Sequence, residues 1–254
     1  MFNYRFDDGG VYIGNLSNMA EKYGIGQYRF AHNYELAGKD FKISDGKATH
    51  TIRIKGDKLA ELDGCECQYE ALKLEATTYF VRLGFNIAVF DLSNGLITLI
   101  IGDDYFYGRI EGAAIPDGAA HTGAGGDMID TSVAWYLGCG RYVWHEFSEE
   151  GKCRVRWSPK PNLKNDLPCT ATRIKYPIFL VDIKGFAPFR TDAPALLDRS
   201  IFLQDYDHML TVGCLFCSGE APIMVSGYAK YMDGIATESQ AAELNKGIPD
   251  MPGL

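Results

Sequence analysis

Along most of the chain apolar and polar residues alternate, and turn signals such as Asp45-Gly46, Gly56-Asp57, Asn94-Gly95 and Glu150-Gly151 interrupt the alternation. Side chains on a strand point to opposite faces in turn, so alternation broken by turns at roughly 8–12-residue intervals predicts short antiparallel strands joined as hairpins. Helical periodicity is confined to the ends. One short helix is predicted near Leu16–Tyr23 and another over Thr237–Leu244, where Thr237 and Gln240 form a capping box.

From Gly108 to Ser132 the composition shifts to Gly and Ala, and no hydrophobic period survives. This stretch reads as an inter-domain connection. Its Gly123-Ala124-Gly125-Gly126 run is no dinucleotide loop, because Met128 replaces the last glycine and no strand is predicted before it.

The halves on either side echo one another. Tyr69-Glu70-Ala71-Leu72-Lys73-Leu74 followed by Tyr79–Leu83 matches Thr170-Ala171-Thr172-Arg173-Ile174 followed by Ile178–Ile183 in type and order. Next come Val89-Phe90-Asp91-Leu92 before Gly95-Leu96, and Leu203-Gln204-Asp205-Tyr206 before Met209-Leu210. Repetition of order and type implies duplication of one supersecondary unit. Meandering strands must bury one face, and closing the sheet removes its exposed edges. The expected fold is all-β, two antiparallel barrels in tandem with short terminal helices. The expected boundaries are an N-terminal extension (1–36), a first barrel (37–112), a Gly/Ala-rich linker (113–131), a second barrel (132–233), and a C-terminal helix and tail (234–254).

Turn length fixes which side chains share a face of a hairpin. Over Arg141–Trp157, a loop of Glu149-Glu150-Gly151 with Gly151 in the left-handed conformation pairs Phe147 with Cys153, His145 with Val155 and Val143 with Trp157. That face is apolar except for His145. The opposite face, pairing Glu146 with Arg154 and Trp144 with Arg156, reads as a solvated surface with a salt bridge and a cation–π contact. Over Phe41–Ile54, a two-residue Asp45-Gly46 turn puts His50, Ile52 and Ile54 on the face of Phe41 and Ile43.

His145 and His50 are therefore candidate acid-base residues, since a neutral imidazole in an apolar cavity exchanges protons near neutral pH. The alternative is a hydrogen-bonded core histidine at each place. Glu70 alternates with Leu72 and Leu74 and is expected inward as a third catalytic candidate. A three-residue Glu75-Ala76-Thr77 loop sets it opposite Arg82, whereas a two-residue loop does not. That pair is either a structural ion pair at a barrel mouth or a clamp for a ligand carboxylate. Tyr105 and Tyr107 share a face and are candidates to line a cavity and orient a phenol or an enolate. With Arg82, Phe147 and Trp157, they complete the expected substrate contacts.

Composition narrows the classes. With 46% apolar and 23% charged residues among 254, the chain has the make-up of a folded globular protein. A net charge of −8 opposes binding to nucleic acid or an anionic membrane, which need clustered Lys and Arg. No apolar run approaches the ~20 residues that cross a bilayer, and the first residues lack a signal-peptide pattern, so a cytoplasmic location is expected. Seven cysteines form no disulfide framework, and Cys214-x-x-Cys217 in an apolar strand is a poor zinc site. No metal and no cofactor are expected. G-x-S-x-G, H-E-x-x-H and P-loop sequences do not occur.

The order of these segments resembles the MoaF-like family, named for molybdenum cofactor biosynthesis protein F. The resemblance is carried by Gly38-Lys39-Asp40-Phe41 through the Asp45-Gly46 turn, Tyr69-Glu70-Ala71, Tyr79-Phe80-Val81, Val89-Phe90-Asp91-Leu92, Tyr142-Val143-Trp144-His145 and the strand pair around Phe179 and Leu210. It implies two calycin (lipocalin-like) domains. Calycin barrels resembling phenolic acid decarboxylases work on phenols with Tyr, Arg and Glu in a closed cavity. The expected function is therefore a cofactor-independent lyase, isomerase or cyclase acting on a small hydrophobic, phenolic or polyketide-like metabolite. The alternative is a carrier of such a ligand. Assembly as a homodimer is left open.

Overall fold

The computed structural model describes residues 30–138, 141–157, 160–185, 197–217 and 221–232. The helices expected at 16–23 and 237–244 lie outside the described residues. Two compact units divide the chain: one holds Phe30–Thr122 with Arg173–Ile178, the other Gly123–Thr172 and the strands from Phe179 onward.

The first unit is a closed eight-stranded barrel of consecutive antiparallel neighbours. Its strands are β1 (Asp40–Ser44), β2 (Thr49–Ile54), β3 (Leu59–Leu62), β4 (Cys65–Glu75), β5 (Thr78–Leu83), β6 (Asn86–Asp91), β7 (Leu96–Ile101) and β8 (Asp104–Ile110). Alternate residues meet in one interior cluster, including Phe41, Ile43, Ile52, Ile54, Val81, Phe90, Ile97 and Leu99. The segment before β1 packs against the barrel. Leu36 is fully buried in the cluster, and Asn33 N–H donates to the Ala71 carbonyl at 2.8 Å.

The second unit follows the same plan. Its strands are β10 (Thr131–Gly138), β11 (Arg141–Glu149), β12 (Lys152–Trp157), β13 (Lys160–Lys175), β14 (Ile178–Lys184), β15 (Leu197–Asp205), β16 (Leu210–Cys217) and β17 (Ile223–Met232). Pairing of β10 with β17 and of β12 with β13 closes the ring, and the two-residue β9 (Thr122–Gly123) adds to β13. The chain is thus two tandem all-β barrels. Ala124 N–H donates to the Ala171 carbonyl at 2.8 Å, repeating the contact of Asn33 with Ala71.

The Gly/Ala-rich stretch is more than a connection. A 3-10 turn over Gly125–Met128 buries Ala124 and Met128 in the second barrel's core. Two apolar residues suffice to anchor a short turn, and so few leave no periodicity in the sequence.

The β11–β12 register is Val143 opposite Trp157 and His145 opposite Val155, with Gly151 at φ +78° in the turn. Glycine takes that left-handed conformation without the Cβ penalty. The other face of this hairpin differs from expectation: Trp144, Glu146 and Arg156 are buried rather than solvated. Arg156 takes Glu146 as its nearest partner at 2.6 Å, and Arg154, opposite Glu146 in register and 3.9 Å from it, pairs more closely with Asp166 at 2.7 Å.

Between β1 and β2 the turn is longer than two residues, pairing Ile43 with His50 and Ser44 with Thr49. The Asp45 carboxylate accepts from the N–H groups of Lys47 and Ala48 at 2.8 and 2.7 Å, which builds an Asx turn. The register moves by two, so every side chain keeps its expected face.

Candidate functional site

The second barrel carries a hydrogen-bonded chain through its core. Phe147, Val143, Cys153, Val155 and Phe202 define the inward face. His145 lies between Val143 and Phe147 on β11, and Gln204 stands two residues beyond Phe202 on β15. The Tyr206 hydroxyl donates to Gln204 Oε1 at 2.7 Å, and Gln204 Nε2 lies 2.7 Å from His145 Nδ1. An amide nitrogen has only protons to offer, so this orientation makes Nδ1 the acceptor and leaves the imidazole proton on Nε2. Both His145 and Gln204 are fully buried.

Burial lowers the His145 pKa to about 3, because the charged imidazolium loses its hydration. At neutral pH the ring is a neutral N–H donor. Its Nε2 has no hydrogen-bond partner among the described residues, and neither has the indole Nε1 of the fully buried Trp135 on β10. The Trp135 ring meets Tyr206 edge-on at 5.8 Å, and His145 packs against Phe202 at 5.0 Å. Gly213 opposite Phe202 makes that packing feasible: a Cβ there would fall 2.5 Å from the Phe202 ring.

A cavity of about 220 Å³ opens beneath the β11–β12 turn, with Phe147, Met128, Cys169 and Ala171 among its lining. Phe147 borders both this cavity and the polar chain, its ring 6.3 Å from that of His145. Cys169 is kept a thiol there, since burial pushes its pKa up to about 12.

The first barrel supplies an internal comparison. From Ala71 and Ala171, strand pairing leads outward through Cys65 opposite Leu62, Leu62 opposite Ile52, and Ile52 opposite Phe41. In the second barrel it leads through Asn165 opposite Val155, Val155 opposite His145, and His145 opposite Val133. Ile52 thus holds the place of His145, and Ile43 that of Trp135. The β6–β7 and β15–β16 turns have equal length, closing with Asp91 opposite Leu96 and Asp205 opposite Leu210. Phe90 and Leu92 therefore stand where the second barrel has Gln204 and Tyr206. The same fold closes with four apolar residues in one copy and four hydrogen-bonding residues in the other.

The remaining predicted residues do not join this chain. Glu70 pairs with Arg82 across β4 and β5, 3.6 Å apart, but its neighbours Tyr69 and Ala71 enter the core, so both charges project from the outer face. Their register is the one a three-residue loop gives, reached by a tighter turn and a bulge at Leu74. His50 does face inward, yet in the other barrel and half-buried, with Nδ1 2.7 Å from the Asp63 carboxylate and its ring 4.6 Å from Phe106. Tyr105 and Tyr107 share a face and stack at 6.2 Å, but it is the outer one, since Phe106 between them packs on the core. Trp157 is placed only through its backbone pairing with Val143.

A second buried histidine lies in the supposed linker. His121 Nδ1 is 2.7 Å from Thr98 Oγ1, and its Nε2 is 3.9 Å from Asp91 Oδ2. Burial opposes ionisation of Asp91, but His121, Ser93 and Asn94 together hold its carboxyl well below the usual range. This cluster fastens the segment after β8 onto β6 and β7. Nothing local in the sequence marks it, because its members are 23 residues or more apart from His121.

No protein family and no curated protein matches the chain. Among the described residues, no group of three or more His, Cys, Asp or Glu is placed to hold a metal, and no helix is long and apolar enough to cross a membrane.

Proposed function

We propose that the second barrel takes up a small hydrophobic or phenolic metabolite and acts on it without a cofactor, as a lyase, isomerase or cyclase. The carrying observation is the chain from Tyr206 through Gln204 to His145, which ends in a buried imidazole N–H without a hydrogen-bond partner among the described residues. The first barrel speaks against a purely structural role, because Leu92, Phe90 and Ile52 complete the same architecture without any such chain. A neutral imidazole held by a second hydrogen bond is suited to donate to an oxygen on which negative charge develops, as in enolisation. With its pKa near 3, His145 acts here as an electrophile rather than as a base.

Carriage of an unchanged ligand is the second reading, favoured by the same suppressed basicity. Kinship with the MoaF-like family belongs to the proposal and is supported by two successive eight-stranded barrels in one chain. A cytoplasmic setting belongs to it as well, supported by the free thiols of Cys65, Cys67, Cys153 and Cys169.

The test is to identify the molecule that co-purifies with the protein by mass spectrometry and to incubate it with wild type and His145→Ala. Conversion by wild type alone supports catalysis. Equal conversion by both removes His145 from the mechanism, and an unchanged ligand with both leaves the carrier.

A further inference from the structure

We infer that the ligand of the second barrel presents a hydrogen-bond-accepting oxygen, carbonyl or phenolate, to Trp135 Nε1 and His145 Nε2. The inference rests on the proposed ligand-binding role of this barrel and names the chemistry that role requires.

Both atoms are donors. An indole nitrogen has no lone pair to accept with, and Nε2 of His145 carries the proton because Nδ1 is engaged by the Gln204 amide. Both side chains are fully buried, and both atoms lack a partner among the described residues. A buried N–H left unpaired loses its hydration without return, and such groups are rare in folded proteins.

The two donors are also neighbours. Val133 stands opposite His145 and Trp135 opposite Val143, which sets Trp135 and His145 diagonally on adjacent strands with both side chains inward. Diagonal pairs lie about 7–8 Å apart, close enough for one oxygen and its two lone pairs to lie between their long side chains. Both reach Tyr206, one by ring contact and the other through Gln204. At the equivalent positions the first barrel has Ile43 and Ile52, so neither donor is required for the barrel to close. Phe147, Phe179 and Phe202 in the surrounding core suit an aromatic or flat apolar body, and two donors disfavour an ammonium group.

Acetophenone and α-methylstyrene are nearly identical in shape but differ in carrying C=O or C=CH2. Titration of ¹⁵N-labelled protein with each, followed through the indole N–H signals, separates the cases, with Trp135 assigned by its loss in Trp135→Phe. The expected result is about tenfold tighter binding of acetophenone, with a downfield shift of the Trp135 indole proton that α-methylstyrene does not cause. In Trp135→Phe the preference for acetophenone over α-methylstyrene falls. Equal affinities in wild type, or tighter acetophenone binding without movement of the Trp135 signal, overturn the inference and leave an apolar binding barrel standing. Binding of neither probe overturns the ligand-binding role itself.

Discussion

Nδ1 of His145 lies 2.7 Å from the side-chain nitrogen of Gln204 in the second barrel, where the first barrel sets Ile52 and Phe90. This contact fixes the imidazole tautomer and turns a core histidine into a donor. It also predicts how the histidine titrates.

With its folded pKa lowered to about 3 from an ordinary 6.5, His145 binds a proton more readily in the unfolded chain. Its contribution to stability is full above pH ~6.5 and is lost as pH falls toward 3, amounting to a few kcal/mol at most. Histidine NMR should show His145 neutral from pH 8 down to 5. In His145→Ile, urea unfolding should lose part of its pH dependence below pH 6.5.

Removal of one member of the chain leaves its partner unsatisfied. Gln204→Ala is expected to cost about 1–3 kcal/mol, because it leaves the fully buried His145 Nδ1 without its donor. The double change His145→Ile with Gln204→Phe restores the first barrel's pairing and should cost less than the sum of the single changes. Urea midpoints for the two single variants and the double variant measure this coupling.

Glu146 and Arg156 form a fully buried ion pair at 2.6 Å on the outer face of β11 and β12. Arg156→Ala leaves the buried Glu146 carboxylate without its nearest cation, with Arg154 3.9 Å away, and should destabilise by about 3 kcal/mol. Asp166→Ala, which removes the exposed partner of Arg154, should cost under about 1 kcal/mol. Denaturant unfolding of the two variants distinguishes them.

The cysteines should separate in reactivity. Burial pushes the Cys153 thiol far up and that of Cys169 to about 12, whereas Cys65 is exposed on β4. A thiol reagent at pH 8 should label Cys65 before Cys169 and leave Cys153 unmodified until the protein unfolds, as peptide mapping by mass spectrometry will show.

What could be read from the sequence followed from local rules. The barrels were legible in the alternation and turns, and the inward placement of His145 in one glycine, Gly151, together with the arginines that fix the register. Alternation carries no facing information where a strand is buried on both faces. On β4, Leu72 and Leu74 are as buried as Tyr69 and Ala71, so alternation alone puts Glu70 on either side. For the same reason Gln204, flanked by the buried Leu203 and Asp205, had no visible face. Setting the two halves against each other marks it: Val89-Phe90-Asp91-Leu92 aligns with Leu203-Gln204-Asp205-Tyr206, and the polar exchanges fall at Gln204 and Tyr206. Trp135 and His121 needed the fold, because their partners come from distant strands.

In the proposed function, the four hydrogen-bonding residues peculiar to the second barrel hold the ligand. Native mass spectrometry of wild type and of Trp135→Ile/His145→Ile/Gln204→Phe/Tyr206→Leu, the change that writes the first barrel's residues into the second, tests it most directly. The expected result is a bound small molecule in wild type and none in the variant, with cooperative thermal unfolding retained. The same bound mass in both proteins would contradict it.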